Sequence, residues 1–150
     1  MSKKFTIIIP TFKNINYLKL CIESILKNSS ISHQLIIHIN GIDEETEFFL
    51  NQKKILYTKT DTNVGLCSGV NLAANKADTN YILYAHDDMY FLPDWDIRLD
   101  EEVMKIKHNN FYLSMTHISC MNGVKGDIQH IVFDCGSDFK EFNENKLLNN

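Results

Sequence analysis

Phe5-Thr6-Ile7-Ile8-Ile9 is apolar and β-branched at successive positions rather than at alternate ones. A strand wetted on one side alternates. A run like this is covered on both faces, which points to the interior of a parallel sheet with helices on either side. Gln34 to Ile39 repeats the pattern, and Asn40-Gly41 stops it with a strong turn pair. Pro10 is expected to end the first strand, because proline cannot donate to a central ladder.

Between these runs the period changes. Ile15, Leu18, Ile22, Ile25 and Leu26 recur at helical spacing, which predicts an amphipathic helix over about 14–27. Asp43-Glu44-Glu45 supplies an N-cap and an acidic first turn for a second helix reaching about Asn51. A short strand follows at Ile55–Thr58. Leu66, Val70, Ala73, Ala74 and Ala77 give a third helix with a small-residue face suited to close packing on a sheet. Tyr81–Ala85 reads as a fourth strand, and Trp95, Leu99, Val103 and Ile106 as a last clear helix, with Trp95 its packing anchor. This alternation predicts an α/β domain with a mostly parallel sheet and right-handed crossovers. Phe111–Met121 is expected to be a strand, Asn122–Gly126 a turn and Ile128–Phe133 its hairpin partner, before a polar, frayed tail from Asn143.

At 150 residues, 44% of them hydrophobic and 23% charged, the chain has the proportions of one globular domain able to bury about 70% of its unfolded surface. The net charge of −4, with scattered basic residues, offers no field for a nucleic-acid backbone. No apolar run approaches the length of a membrane span, and Met1–Phe5 lacks the pattern of a signal peptide. The four cysteines form no C-x-x-C pair, so reduced and mostly buried thiols are expected, not a disulfide framework or a zinc site.

In an open parallel sheet ligands bind beyond the carboxyl ends of the strands. There the chain places Pro10-Thr11-Phe12, then Asn40-Gly41, then Asp61 with Asn63-Val64-Gly65, and finally His86-Asp87-Asp88. Adjacent carboxylates repel, so Asp87-Asp88 calls either for a hard divalent cation shared with substrate phosphates or for a capping role at the turn into the Pro93 helix. Asn40-Gly41 is read as a tight turn or as a base contact, and Gly65 as a place for a phosphate at a helix N-terminus. G-x-G-x-x-G and G-x-x-x-x-G-K are absent, so the dinucleotide and P-loop readings lose their main support, and the absence of G-x-S-x-G removes the hydrolase reading.

Taken together, these residues resemble the nucleotide-sugar-binding part of family 2 glycosyltransferases, which have the GT-A fold. Ile7–Asn14 with Tyr17-Leu18, Cys21-Ile22 and Ser24-Ile25-Leu26 is similar to the family's opening segment. Asn63-x-Gly65 with Asn71 resembles its N-x-G-…-N segment, and Tyr81–Met89 with Leu92-Pro93-Asp94-Trp95 its metal-binding D-x-D strand and following P-x-W. The resemblance implies a three-layer α/β/α sandwich, 1–107 being the nucleotide-sugar-binding part and 108–150 a short or truncated acceptor side. It implies inverting transfer from a nucleotide-diphosphate sugar, first a UDP-sugar, to a glycan, lipid-linked or protein acceptor, with Mn²⁺ or Mg²⁺. Carried over by position, Pro10, Thr11 and Phe12 line the nucleoside, Asn40 lies near the base, and Asn63, Gly65 and Asn71 belong to the donor site. Asp87 faces the ribose or sugar, and Asp88 is the metal ligand, with His86 a second candidate for metal or phosphate.

The chain departs from that pattern in places. Asn40 stands where an acidic base-reading residue is usual, His86 replaces the first Asp of the D-x-D, and Val70 replaces a basic residue before Asn71. The acidic E-D motif that carries the family's catalytic base is not found. Asp134, Asp138 and Glu141 are the available acids, each otherwise a solvated surface carboxylate, and Asp138 is the candidate base. The alternative function is a non-catalytic nucleotide-sugar-binding module that lacks the acceptor half and acts with another subunit; self-association is a separate expectation for the partners. The expected location is cytoplasmic, with peripheral contact at the inner membrane face.

Overall fold

The computed structural model describes residues 3–119 and 130–149. The chain divides into two compact units, Met1–Asp100 and Glu101–Asn150.

The first unit is built on a four-stranded sheet of β1 (Phe5–Thr11), β2 (Gln34–Asn40), β3 (Leu56–Thr60) and β4 (Tyr81–Tyr84), in the order β3-β2-β1-β4. Every pairing in it is parallel. Helices α1 (Ile15–Asn28), α2 (Glu44–Lys53) and α3 (Leu66–Ala74) connect successive strands, and α4 (Trp95–Lys105) begins after β4. The side-chain alternation of the strands decides which helix lies where. Ile7, Ile9, Ile37 and Ile39 pack on Leu18, Cys21, Ile22 and Ile25 of α1 and on Phe49 and Leu50 of α2, with Trp95 and Phe91 in the same cluster. Ile8 and Ile36 point the other way, against Val70, Ala73 and Ala74 of α3. The result is the expected three-layer sandwich. Each fully buried Ile or Leu here contributes about 1.5–3 kcal/mol relative to exposure.

β1 does not end before Pro10. The proline pairs in register with His38, and the strand continues to Thr11. Ile8 accepts a hydrogen bond from the Ala85 N–H, and in a parallel strand residues two apart address the same neighbour. The missing N–H of Pro10 therefore faces the side that β4, ending at Tyr84, has already left. Asp43 caps α2 as expected, its side chain accepting from the Thr46 N–H at 3.1 Å. The close packing expected of α3 is also seen, at Gly69 and Ala73, though the helix stops before Ala77.

In the second unit, β5 (His117–Ser119) and β6 (His130–Val132) pair in parallel, not as a hairpin. Ile- and Val-rich segments specify extended backbone but not direction, which the connection sets. The expected turn at 122–126 lies outside the described residues. The tail is not frayed throughout: α5 (Glu144–Leu148) starts at Asn143, whose side chain accepts from the Lys146 N–H at 2.9 Å. That cap was present in the sequence as Asn143-Glu144 and outweighs the polarity of the segment.

Candidate functional site

Because all four strands run the same way, their carboxyl ends open on one side. The residues just past those ends line a cleft of about 510 Å³: Pro10, Thr11, Phe12, Lys13 and Asn14, with Asn40, Asn63, Gly65, Leu66, His86 and Asp87.

Two hydrogen bonds close its centre. Asp87 accepts from Thr11 Oγ1 at 2.6 Å and from Asn14 Nδ2 at 3.0 Å. Both donors reach it because the chain between them turns through Lys13, whose φ of 51° lies in the left-handed region. A lysine there costs roughly 1–2 kcal/mol. The carboxylate of Asp87 is thus taken by the β1–α1 loop rather than by the N-terminus of α4, so the helix-capping reading of this residue does not hold.

Asp88 and His86 are exposed on either side of it, and His86 Nε2 lies 3.0 Å from the Tyr84 hydroxyl. The acidic pair makes the surroundings negative. The Cys21 thiol is pushed up to about 12, first by burial and then by Asp87 and Asp88, and its Sγ donates to the His86 carbonyl. The Tyr84 hydroxyl is raised for the same reasons, burial first. Among the described residues no group of three or more His, Cys, Asp or Glu side chains gathers closely enough to cage a metal ion unaided.

The other wall is a clasped loop. Buried Asn40 accepts from the Val64 N–H at 2.8 Å and donates to the Gly65 carbonyl at 3.3 Å. Asn63 turns back on the same loop, accepting from the Gly65 N–H at 2.9 Å. Gly65 has φ 82°, which a side chain would strain, and its carbonyl starts α3 by accepting from the Gly69 N–H. Phe12 is half exposed, and a Cβ on Gly41 would lie 3.4 Å from its ring.

With this geometry the comparisons with known proteins agree. The profile of glycosyl transferase family 2 matches residues 6–150. The chain belongs to this family. It is 25% identical over 118 residues to glycosyltransferase GlyA of Streptococcus pneumoniae serotype 4, covering 73% of this chain and 17% of that protein. It is 29% identical over 117 residues to an uncharacterized glycosyltransferase of Rickettsia bellii, covering 75% and 16%. The chain therefore spans about a sixth of the length of these curated relatives. Among solved structures, S. aureus TarS 1-349 in complex with UDP superposes with a TM-score of 0.65 at 17% identity, covering 83% of this chain and 39% of that one. TarS 1-349 in another crystal structure gives 0.61 at 15% identity, over 75% and 39%. These likenesses show the GT-A fold.

For this family 2 member, most of the candidate donor residues meet in the cleft: Pro10, Thr11, Phe12, Asn40, Asn63, Gly65, His86 and Asp87. Asn71 does not line it and is exposed on α3, and Asp88 is exposed just beyond Asp87. Asp138 belongs to the second unit, where its carboxylate accepts from the backbone N–H groups of Lys140 at 2.7 Å and Glu141 at 3.1 Å. It caps its own turn. Sequence reasoning missed Lys13, Asn14 and Leu66 as lining residues. Asn14 stood in the family's opening segment but was read only as a helix start. Nothing in a sequence signals that Lys13 adopts positive φ. Of the described cysteines, Cys21 and Cys135 are buried as expected and Cys67 is exposed, while Cys120 lies outside the described residues.

Proposed function

We propose that the cleft binds the nucleoside diphosphate part of a sugar donor and that the chain serves inverting glycosyl transfer. The observation that carries this is the Asp87 clasp: it brings the acidic pair after β4 against the loop after β1, across the end of the sheet. The UDP present in the superposed TarS structure supports a nucleoside diphosphate, with UDP the first candidate.

On this reading Phe12 offers a ring face to the base, and Asn40 acts by fixing the Asn63–Gly65 loop, since its amide is engaged at both ends. Asp87 is held by neutral donors, which leaves lone pairs for a ribose or sugar hydroxyl. Asp88, with His86, would hold a Mn²⁺ or Mg²⁺ as one or two protein ligands, the diphosphate and water supplying the others. Such an ion, when bound, supplies positive charge to the departing diphosphate. In the transfer an acceptor hydroxyl attacks the anomeric carbon in line. The new C–O bond forms as the bond to the diphosphate breaks, and the hydroxyl proton passes to a carboxylate base.

A second reading, a donor-binding module without its own catalysis, goes with Asp138, whose Oδ1 serves as the cap of its own turn. Under either reading the partners are a nucleotide sugar and a glycan, lipid-linked or protein acceptor. Among the described residues no helix is long and apolar enough to cross a membrane. A cytoplasmic site of action, at the inner membrane face for a lipid-linked acceptor, goes with this proposal.

Calorimetric titration with UDP, GDP and dTDP, with and without Mn²⁺, tests the donor site. One nucleotide should bind in a Mn²⁺-dependent manner and at least about tenfold more weakly to Asp88→Ala, the equivalent of about 1.4 kcal/mol. Absence of binding by all three sinks the proposal. Release of free sugar from the matching donor would then separate an enzyme from a binding module.

A further inference from the structure

We propose that Lys13 is the protein cation that receives the diphosphate of the donor, an assignment that rests on the donor-site reading above and deepens it. Among the described residues lining the cleft, Lys13 is the one with a formal positive charge. Its ammonium meets no carboxylate there. It stands 5.6 Å from the centre of the Phe12 ring, on which a cation is held by the ring's negative face. The acid that could have neutralised it, Asp87, is bonded instead to Thr11 and Asn14.

The backbone argues the same way. Lys13 sits at φ 51° between two residues that grip Asp87, a conformation in which asparagine or glycine would be at less cost. Strain of this kind persists where the surroundings impose it, and it clusters at ligand sites. A cleft already holding Asp87, with Asp88 beside it in the chain, repels an incoming diphosphate. A flexible, strongly hydrated ammonium resting on an aromatic ring can swing to phosphate oxygens without breaking an ion pair. Lys13 lies in the same segment as the ring expected to face the base and the two donors that hold Asp87, and the proposal places the phosphates of the ligand beside it.

The test is the ratio of UDP to UMP affinity, measured by calorimetry at constant Mn²⁺ for wild type, Lys13→Asn and Lys13→Arg, with GDP/GMP or dTDP/dTMP substituted if that base binds instead. Asparagine tolerates positive φ, so Lys13→Asn removes the charge and keeps the turn. The expected result is a loss of about tenfold in diphosphate affinity with a much smaller loss for the monophosphate, and retention of both in Lys13→Arg. A purely structural role would weaken both ligands alike and leave the ratio unchanged, which overturns the assignment, as does unaltered diphosphate binding. Failure of wild type to bind any of the three diphosphates would instead overturn the donor site itself, and this assignment with it.

Discussion

Gly69 and His38 show how single residues set the distance between layers. His38 is fully buried on the α3 side of β2, its Nδ1 2.8 Å from Thr58 Oγ1. A Cβ on Gly69 would lie 2.6 Å from His38 Cδ2. Here the absence of a side chain, not backbone freedom, is what α3 requires. Gly69→Ala should destabilise by about 1–3 kcal/mol through overpacking, measured by urea unfolding. The paired variant His38→Ala with Gly69→Ala should recover part of that loss relative to His38→Ala alone. Stability equal to wild type in the single glycine variant would show that α3 does not need this approach.

At the level of elements, α1 acts as the rail on which the acidic segment is mounted. From its middle to its end it bonds the chain that follows β4. Cys21 donates to the His86 carbonyl, and Ser24 Oγ accepts from the Phe91 N–H at 2.9 Å. Asn28 Nδ2 donates to the Phe91 carbonyl at 2.6 Å, and Trp95 Nε1 donates to Ser29 Oγ at 3.1 Å. Asp87 is thus gripped from the front by the β1–α1 loop while its segment is fastened behind along the helix. Ser24→Ala leaves a buried N–H unpaired at a cost of about 1–3 kcal/mol. Amide exchange should accelerate selectively over 86–92, as far as those amides are followed by NMR. Equal acceleration throughout the sheet would refute the rail.

For the molecule as a whole, two buried titratable groups shape its response to acid. Burial holds the His38 ring below its ordinary 6.5. Asp96 also suffers burial, but the Ile31 N–H, the His33 ring and the N–H groups of Ser30 and Ile97 outweigh it and keep the carboxyl below 3.8. Both groups bind protons less readily folded than unfolded, so both give stability that is lost as pH falls. The His38 share begins to fall away near pH 6.5 and the Asp96 share near pH 3.8. Thermal midpoints taken from pH 8 to pH 3 should fall in two stages. His38→Gln should flatten the first and Asp96→Asn the second. A profile unchanged by Asp96→Asn would mean that the 30–33 loop is not fastened to α4 through this carboxylate.

In the first unit the amino-acid sequence determined the order and kind of elements, because two-sided apolar strands and helical periodicity are local patterns that burial enforces wherever they occur. It also determined the side of the sheet on which function lies, since parallel strands send all their carboxyl ends one way. The family was legible for a similar reason: Pro10-Thr11-Phe12, Asn63-x-Gly65 and His86-Asp87-Asp88 each sit at a strand end in a fixed order. What only tertiary structure decided depends on partners distant in the chain. Pro10 remains in β1 because β4 is short. Asn40 clasps a loop more than twenty residues away, and Asp87 is bound by Thr11 and Asn14 instead of capping a helix. The parallel pairing of β5 with β6 is of the same kind, for strand direction is set by the path between strands and not by the residues within them. Lys13 is the plainest case: its charge is visible in one letter, but its turn, its ring and its lack of a carboxylate partner among the described residues exist only once the strand ends have met.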